Sequence, residues 1–431
     1  MRKNFILGLL ICPILLSAQE HGIAFVHDLN WPQILQKAKT ENKYVFVDCY
    51  ATWCGPCKYM DKEVYPNDSV GAFVNDHFIA VRLQMDTTKN DGEIVCKWYP
   101  IAHSIQEDYR IDAYPSFIFI SPDGQPVHMD VGGRVIAEFL AMATAALDKK
   151  QQYFTLLANY RNGIKDYSSM PVLADEAKKV KQDSLAAQVG RDYLQHYLAA
   201  LPETKLWSHG SISFVFKHPD VILYKDLVFQ LWCKDRKLVD SVMQNPGFAD
   251  QLINDVVFRD KVKPALNTAL RLNRKPNWSR LQKEISNRCG EKFAEQNVVQ
   301  GRVEYYKATK TWTKYVKYFI LQQEANGIES WQESEEHELY LNNNAFEVFQ
   351  YSSRKQHLKK ALSWVERALA MANKEFVIAQ DMDTKANILY KLGNKREALA
   401  LEAQSHKLSP QDKDIASNYE KMKSGLPTWL N

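Results

Sequence analysis

Apolar and polar positions change their rhythm about a third of the way along the chain. Up to residue 149, short continuous apolar runs are separated by stretches of helical spacing; beyond it almost every stretch is helical. Residues 44–50 (YVFVDCY) are β-prone and nearly all apolar, which predicts a strand buried on both faces. Residues 78–85 (FIAVRLQM) predict a second strand and residues 117–120 a third. The turn residues SPDG and a partner strand at 127–131 complete a hairpin. Helices are expected at 31–40, at 135–147, and over 58–75, the last broken near Pro66. Strand, helix, strand, hairpin and helix in that order describe an α/β domain.

From residue 150 onward, amphipathic helices are predicted at 156–160, 172–181, 185–201, 221–233, 237–243, 248–257, 262–272, 305–325 and 334–349. Gly163, Pro202, Pro219, Pro246 and Pro276 supply stops. Only residues 212–216 suggest an extended piece. Near the C-terminus, Ala361-Leu362 recurs as Ala398-Leu399, and Gly393 and Pro410 hold a turn and a stop around it. This spacing resembles the tetratricopeptide repeat. One such unit cannot bury its own apolar face, so it must stack on neighbours. Four segments follow: a leader at 1–18, an α/β domain at 19–149, a helical region at 150–335, and repeat-like helices at 336–431. The all-α part is expected to be solenoid-like; a bundle that only supports the first domain is the plainer reading.

The first residues read MRKNFILGLLICPILLSAQE: a basic start, a short apolar stretch, then small residues before Gln19. That is the layout of a secretory signal peptide, too short for an ordinary membrane span. The expected location is therefore periplasmic or secreted, with no stable membrane insertion. Removing Arg2 and Lys3 takes the formal charge from +4 to +2. A balance so close to neutral gives no reason to expect nucleic acid as a partner. The aromatic and basic stretch at 302–319 then reads as a helix with an aromatic core face and a solvated lysine face.

The chemistry lies directly after the first strand, in Trp53-Cys54-Gly55-Pro56-Cys57-Lys58. Asp48 stands six residues before Cys54, Tyr114-Pro115 precedes the third strand, and Gly132-Gly133 follows the hairpin. A zinc half-site would need a second ligand pair, which the sequence does not offer; no metal and no cofactor are expected. Together these residues closely resemble the thioredoxin superfamily, and the stretches around Trp31 and 65–78 are similar to the C-terminal domain of the membrane electron carrier DsbD. The resemblance implies a central mixed sheet flanked by helices and a redox-active Cys54/Cys57 pair. Cys54, at a helix N-terminus where backbone N–H groups favour an anion, is the expected nucleophile. Cys57, one turn on, is the expected resolving thiol. The resemblance gives Asp48 a proton-handling role, as a carboxyl raised by burial that accepts the Cys57 proton, and gives Pro115 a cis peptide bond. It places Trp53, Gly55, Pro56 and Tyr114 along the substrate groove.

Some residues depart from the family pattern. Arg82 is expected to pair with Asp48 and lower its pKa. Residues 87–106 lengthen the chain before Pro115 and read either as a lid or as a packed excursion. Cys96 within them is expected to be a buried thiol; Cys49 is expected in the core. Cys233 and Cys289 are left open. The function this supports is an exported thiol–disulfide oxidoreductase, a reductase by its Gly-Pro dipeptide. Its partners would be exported protein substrates and a membrane electron donor resembling DsbD. The alternative is a non-catalytic scaffold that uses the same fold as a recognition module.

Overall fold

The computed structural model describes residues 22–328 and 332–429. The leader at 1–18, with Cys12, lies outside them. Two compact units emerge. The first holds the chain up to Leu206 with Ser213–Val221; the second holds Trp207–Ile212 with everything from Ile222 onward.

In the first unit, helix α1 (Trp31–Glu41) is capped by Asn30, whose side chain accepts from the Gln33 N–H while Gln33 bonds back to Asn30. Strand β1 (Tyr44–Tyr50) follows, then α2 (Gly55–Tyr59), which runs on through a π-helical turn, Met60–Val64. Next come α3 (Asp68–His77), β2 (Phe78–Gln84), α4 (Glu93–Tyr109), β3 (Ser116–Ile120), β4 (Pro126–Val131) and α5 (Ile136–Ala145). The sheet order is β2-β1-β3-β4. β1 pairs parallel with β2 and antiparallel with β3, so the sheet is mixed. β1 is buried because it is central: Val45, Phe46, Val47 and Cys49 are fully inaccessible. Phe46 stacks on Phe119 and meets Phe139 edge-on, and Met60, Val64 and Tyr65 join the same core.

Helices α6 (Tyr153–Arg161), α7 (Met170–Lys179) and α8 (Asp183–His196) continue this unit. β4 is an edge strand, and α6 and α7 pack against it. His128 of β4 is buried, and its Nδ1 accepts the Tyr153 N–H at 3.1 Å. Burial pushes its imidazole down to about 4, so it stays neutral and can accept that bond.

The second unit is helical throughout the described residues. Its C-terminal part is built from long helices packed on their sequence neighbours: Glu335–Tyr351, Lys355–Met371, Glu375–Leu392 and Lys395–Leu408. Ala361, Ala368, Ala386 and Ala398 are fully buried, small enough to let helices approach closely. Gly393 ends its helix with φ of 98°, a conformation a side chain would resist.

The structure corrects two expectations here. Residues 212–216 are not extended but belong to the helix His209–Lys217, where Ile212 and Val215, three apart, are both buried. The helix expected at 305–325 is two, ending at Ala308 and restarting at Trp312, because Lys310 turns the chain with φ of 52°.

Candidate active site

The site is assembled from the ends of β1 and β3. β1 delivers the chain into Ala51-Thr52-Trp53, where the Cys54 N–H bonds to the Ala51 carbonyl at 3.1 Å. Asp86, two residues past β2, pins this loop: its carboxylate accepts the Thr52 N–H at 2.9 Å and the Thr52 hydroxyl. Cys54 is then the N-cap of α2, and its Sγ accepts the Cys57 N–H at 3.1 Å. The side-chain oxygen that usually caps a helix is replaced by sulfur, which brings the backbone donors to bear on that atom. Pro56 occupies the first turn, where no intrahelical partner awaits its nitrogen.

Cys54 and Cys57 are joined, with S–S 2.11 Å and Cα atoms 5.3 Å apart. Both cysteines are only 2% exposed, whereas Trp53 beside them is 69% exposed. The Tyr114–Pro115 peptide bond is cis. The Tyr114 ring meets Trp53 edge-on at 5.8 Å, and its hydroxyl accepts from Gln106 Nε2 at 3.3 Å. The Pro115 carbonyl accepts the Gly132 N–H at 2.8 Å. Gly133 faces Pro56 so closely that a Cβ there would lie 3.3 Å from the proline Cβ.

Asp48 sits in β1 on the side of Phe46, the face covered by the helical segment after the dithiol. It is 1% exposed. Arg82, its cross-strand neighbour in β2, approaches with Nε 3.1 Å from Oδ2 and also holds Asp61 at 2.8 Å. Arg82 pairs with Asp48 as expected and its charge does lower the carboxyl, but burial outweighs it. Burial dominates, opposed by the Arg82 charge and the Tyr65 hydroxyl, and the group is raised to about 6. Arg82 is partly drawn away by Asp61 and by the Tyr50 ring, 4.2 Å from its guanidinium.

The segment at 87–106 is packed rather than loose. Asp91 gathers the Gln84 amide, the Thr88 N–H and hydroxyl, and the Tyr99 hydroxyl, and α4 follows directly, burying Ala102 and Ile105. Gln106 on this helix is the residue that touches Tyr114. Cys96 is exposed, against expectation, because it lies on the solvent face of α4. Cys49 is buried on the opposite face of β1 from Asp48, and burial lifts its thiol well above its ordinary value.

Sequence reading missed the anchoring by Asp86 and the contact from Gln106. Only an Asp placed just past a strand end hinted at the first, and nothing local signals the second.

The family model described as a thioredoxin-like domain matches residues 31–147. These residues form a thioredoxin-like domain. A thioredoxin H-type from Fagopyrum esculentum is 28% identical over 118 residues, which is 27% of this chain and 85% of that protein. The thiol:disulfide interchange protein DsbD 2 of Pseudomonas aeruginosa is 30% identical over 110 residues, 25% of this chain and only 17% of that protein. A solution structure from Bacteroides thetaiotaomicron, provisionally described as a disulphide-isomerase, shares 34% identity. It covers 30% of this chain and 98% of its own, with a TM-score of 0.25. The thioredoxin-like domain with its Cys54-x-x-Cys57 pair is a thiol–disulfide oxidoreductase centre.

The second unit carries a cavity of about 980 Å³. Trp312, Phe346, Tyr351, Asn342 and Asn418 are among its walls. Trp312 stacks on Tyr351 at 4.4 Å, and the Asn342 side-chain oxygen Oδ1 is buried without a partner among the described residues. No group of three or more His, Cys, Asp or Glu able to hold a metal occurs among the described residues, and no described helix is long and apolar enough to cross a membrane.

Proposed function

We propose that this protein is exported and reduces or exchanges disulfides in other exported proteins. The observation that carries the reading is the Cys54 sulfur capping α2 beside exposed Trp53 and the half-buried Tyr114 ring that meets it. In the reduced enzyme, Cys54 is held as a thiolate by the backbone donors of the first turn. It attacks one sulfur of a client disulfide, and the other leaves as a thiolate that takes a proton. Cys57 then gives its proton to Asp48 and attacks Cys54, releasing the second client sulfur. Two electrons have passed to the client, and the enzyme holds the Cys54–Cys57 disulfide. A dithiol donor at the membrane, resembling DsbD, resets it.

Asp48 suits its role because a carboxyl raised to about 6 is mostly ionised at neutral pH yet basic enough to accept a thiol proton. Tyr114 and Pro115 offer the edge along which an extended client lies, with Trp53, Gly55 and Pro56 as the opposite wall. The helical unit serves as the holding surface for partners, and its cavity, walled by the stacked Trp312 and Tyr351 rings, supports that assignment.

Insulin reduction by the full chain tests the catalytic reading; Cys54→Ser should abolish it, and retained activity would sink the mechanism. Equilibration with glutathione or dithiothreitol fixes direction. A potential near about −270 mV supports a reductase, and one above about −200 mV an oxidase or isomerase. A second reading, a scaffold that binds partners through the helical unit alone, is favoured by the same cavity. It predicts partner binding that survives Cys54→Ser.

A further inference from the structure

Helix Leu227–Lys234 and helix Trp278–Cys289 pack together in the second unit, and each carries a cysteine at or next to its last residue. Cys233 and Cys289 are each 3% exposed, and their sulfurs lie 2.7 Å apart across 56 residues of sequence. That distance is informative. Carbon atoms in van der Waals contact stand about 3.5–4 Å apart, and sulfur is larger than carbon. Two thiolates on one zinc, each about 2.3 Å from the metal in tetrahedral array, would stand about 3.8 Å apart. A disulfide needs about 2.05 Å. The pair is too close for contact or for a shared metal, and a small adjustment short of a bond.

The surroundings hold both sulfurs in place. Trp232 is buried beside Cys233, and Arg236 donates to the Cys233 carbonyl at 3.0 Å. Cys289 is followed by Gly290, whose φ of 96° redirects the chain into the helix Glu291–Ala308. The Tyr224 hydroxyl bonds the Glu284 carbonyl at 2.9 Å one turn back along the Cys289 helix.

We propose that Cys233 and Cys289 form a structural disulfide in the mature protein, tying the ends of these two helices together. It is separate from the Cys54–Cys57 centre. It rests on the export reading only for its source of oxidant: a low-molecular-weight or protein disulfide met outside the cytosol. One thiolate attacks that disulfide and displaces a thiol; the second cysteine, losing its proton, attacks the mixed disulfide and displaces the other. The two cysteines lose two protons and two electrons, and the oxidant becomes two thiols. Both sulfurs are closed off between two packed helices, whereas the Cys54 sulfur caps a helix start beside exposed Trp53, so the exchange takes place during folding and the finished bond resists reductant until the helices open.

The test uses the full chain produced with its leader, quenched in acid, alkylated under denaturing conditions without reductant, digested and analysed by mass spectrometry. The expected product is a cross-linked peptide pair containing Cys233 and Cys289, two hydrogens lighter than the separate peptides. Dithiothreitol added to the native protein should free Cys54 and Cys57 for alkylation and leave Cys233 and Cys289 linked until denaturant is present. Refolding the reduced protein in oxidised glutathione should make the same link, whichever compartment the cells use. Cell fractionation reads export on its own, so failure there leaves the refolding arm to decide. Alkyl label on both cysteines after oxidative refolding would overturn the proposal. The paired variant Cys233→Ala with Cys289→Ala should lower the melting midpoint of the second unit by roughly 10 °C; an unchanged midpoint would remove the bond's role as a staple.

Discussion

Replacing Asp48 by asparagine should make the enzyme slower and the domain more stable, and the second effect has a calculable dependence on pH. In the unfolded chain this carboxyl titrates near its ordinary 3.8; in the folded domain burial holds it at about 6. Below both values it is protonated in either state and contributes nothing. As pH rises through 4 to 6, the unfolded chain gives up its proton first, so folding becomes progressively less favourable. At about 1.4 kcal/mol per pH unit, the loss is complete above pH 6 and amounts to about 3 kcal/mol. Asparagine imitates the neutral carboxyl, and Arg82 keeps its ion pair with Asp61 in the variant. Wild type and Asp48→Asn should therefore be equally stable below about pH 4. By pH 8 the variant should be ahead by about 3 kcal/mol. Hydrogen exchange of the β1 and β3 peptides, corrected for intrinsic rates at each pH, reads the opening free energy of this domain directly. Insulin reduction should meanwhile fall by about 10²-fold, as expected for loss of a general base. A gap in stability that does not change with pH, or a variant less stable than wild type at pH 8, would refute the reasoning.

Cys57→Ser should trap clients on Cys54 as mixed disulfides, visible on non-reducing gels; free turnover without trapping would exclude its resolving role. Asp86→Asn should cost about 1–2 kcal/mol through weakened bonds to Thr52 and raise hydrogen exchange in residues 51–53. Gly133→Val should disturb the start of α2, because a Cβ there is already 3.3 Å from Pro56; a loss of about 1–3 kcal/mol and slower insulin reduction are expected. In the helical unit, burial and the nearby Glu338 raise Asp381 to about 8, so stability should fall as pH rises toward 8. Asp381→Asn should flatten that slope in thermal melts.

The α/β domain was legible because its signals are local. Continuous apolar runs at 44–50 and 78–85 mark central strands, and turn residues mark the hairpin. Cys54, Cys57, Asp48 and Pro115 stand out because their spacing along the chain carries their chemistry. What escaped reading depends on contacts distant in sequence. Burial suggested a raised Asp48 carboxyl and Arg82 a lowered one; which of the two prevails depends on how completely Asp48 is buried and how much of Arg82 is claimed by Asp61. Cys96 was expected inside, yet a single cysteine on a helix has no periodic signature of its own. Residues 212–216 are β-branched and aromatic enough to pass for a strand, and only burial of Ile212 and Val215 on one helical face decides otherwise.

The packing of α6 and α7 on β4 bears on how the two kinds of structure in this chain came to depend on each other. A chain ended after Lys149 would keep every residue of the dithiol centre. It would also lose the Tyr153 N–H that satisfies buried His128, and it would bare the flank of an edge strand rich in apolar side chains. Such strands invite pairing with other chains, so the shortened protein should self-associate. On this reasoning the first helices of the long α-helical stretch act as a solubilising hem for the catalytic domain, and size-exclusion chromatography of a chain ended at Lys149 should show the self-association they prevent.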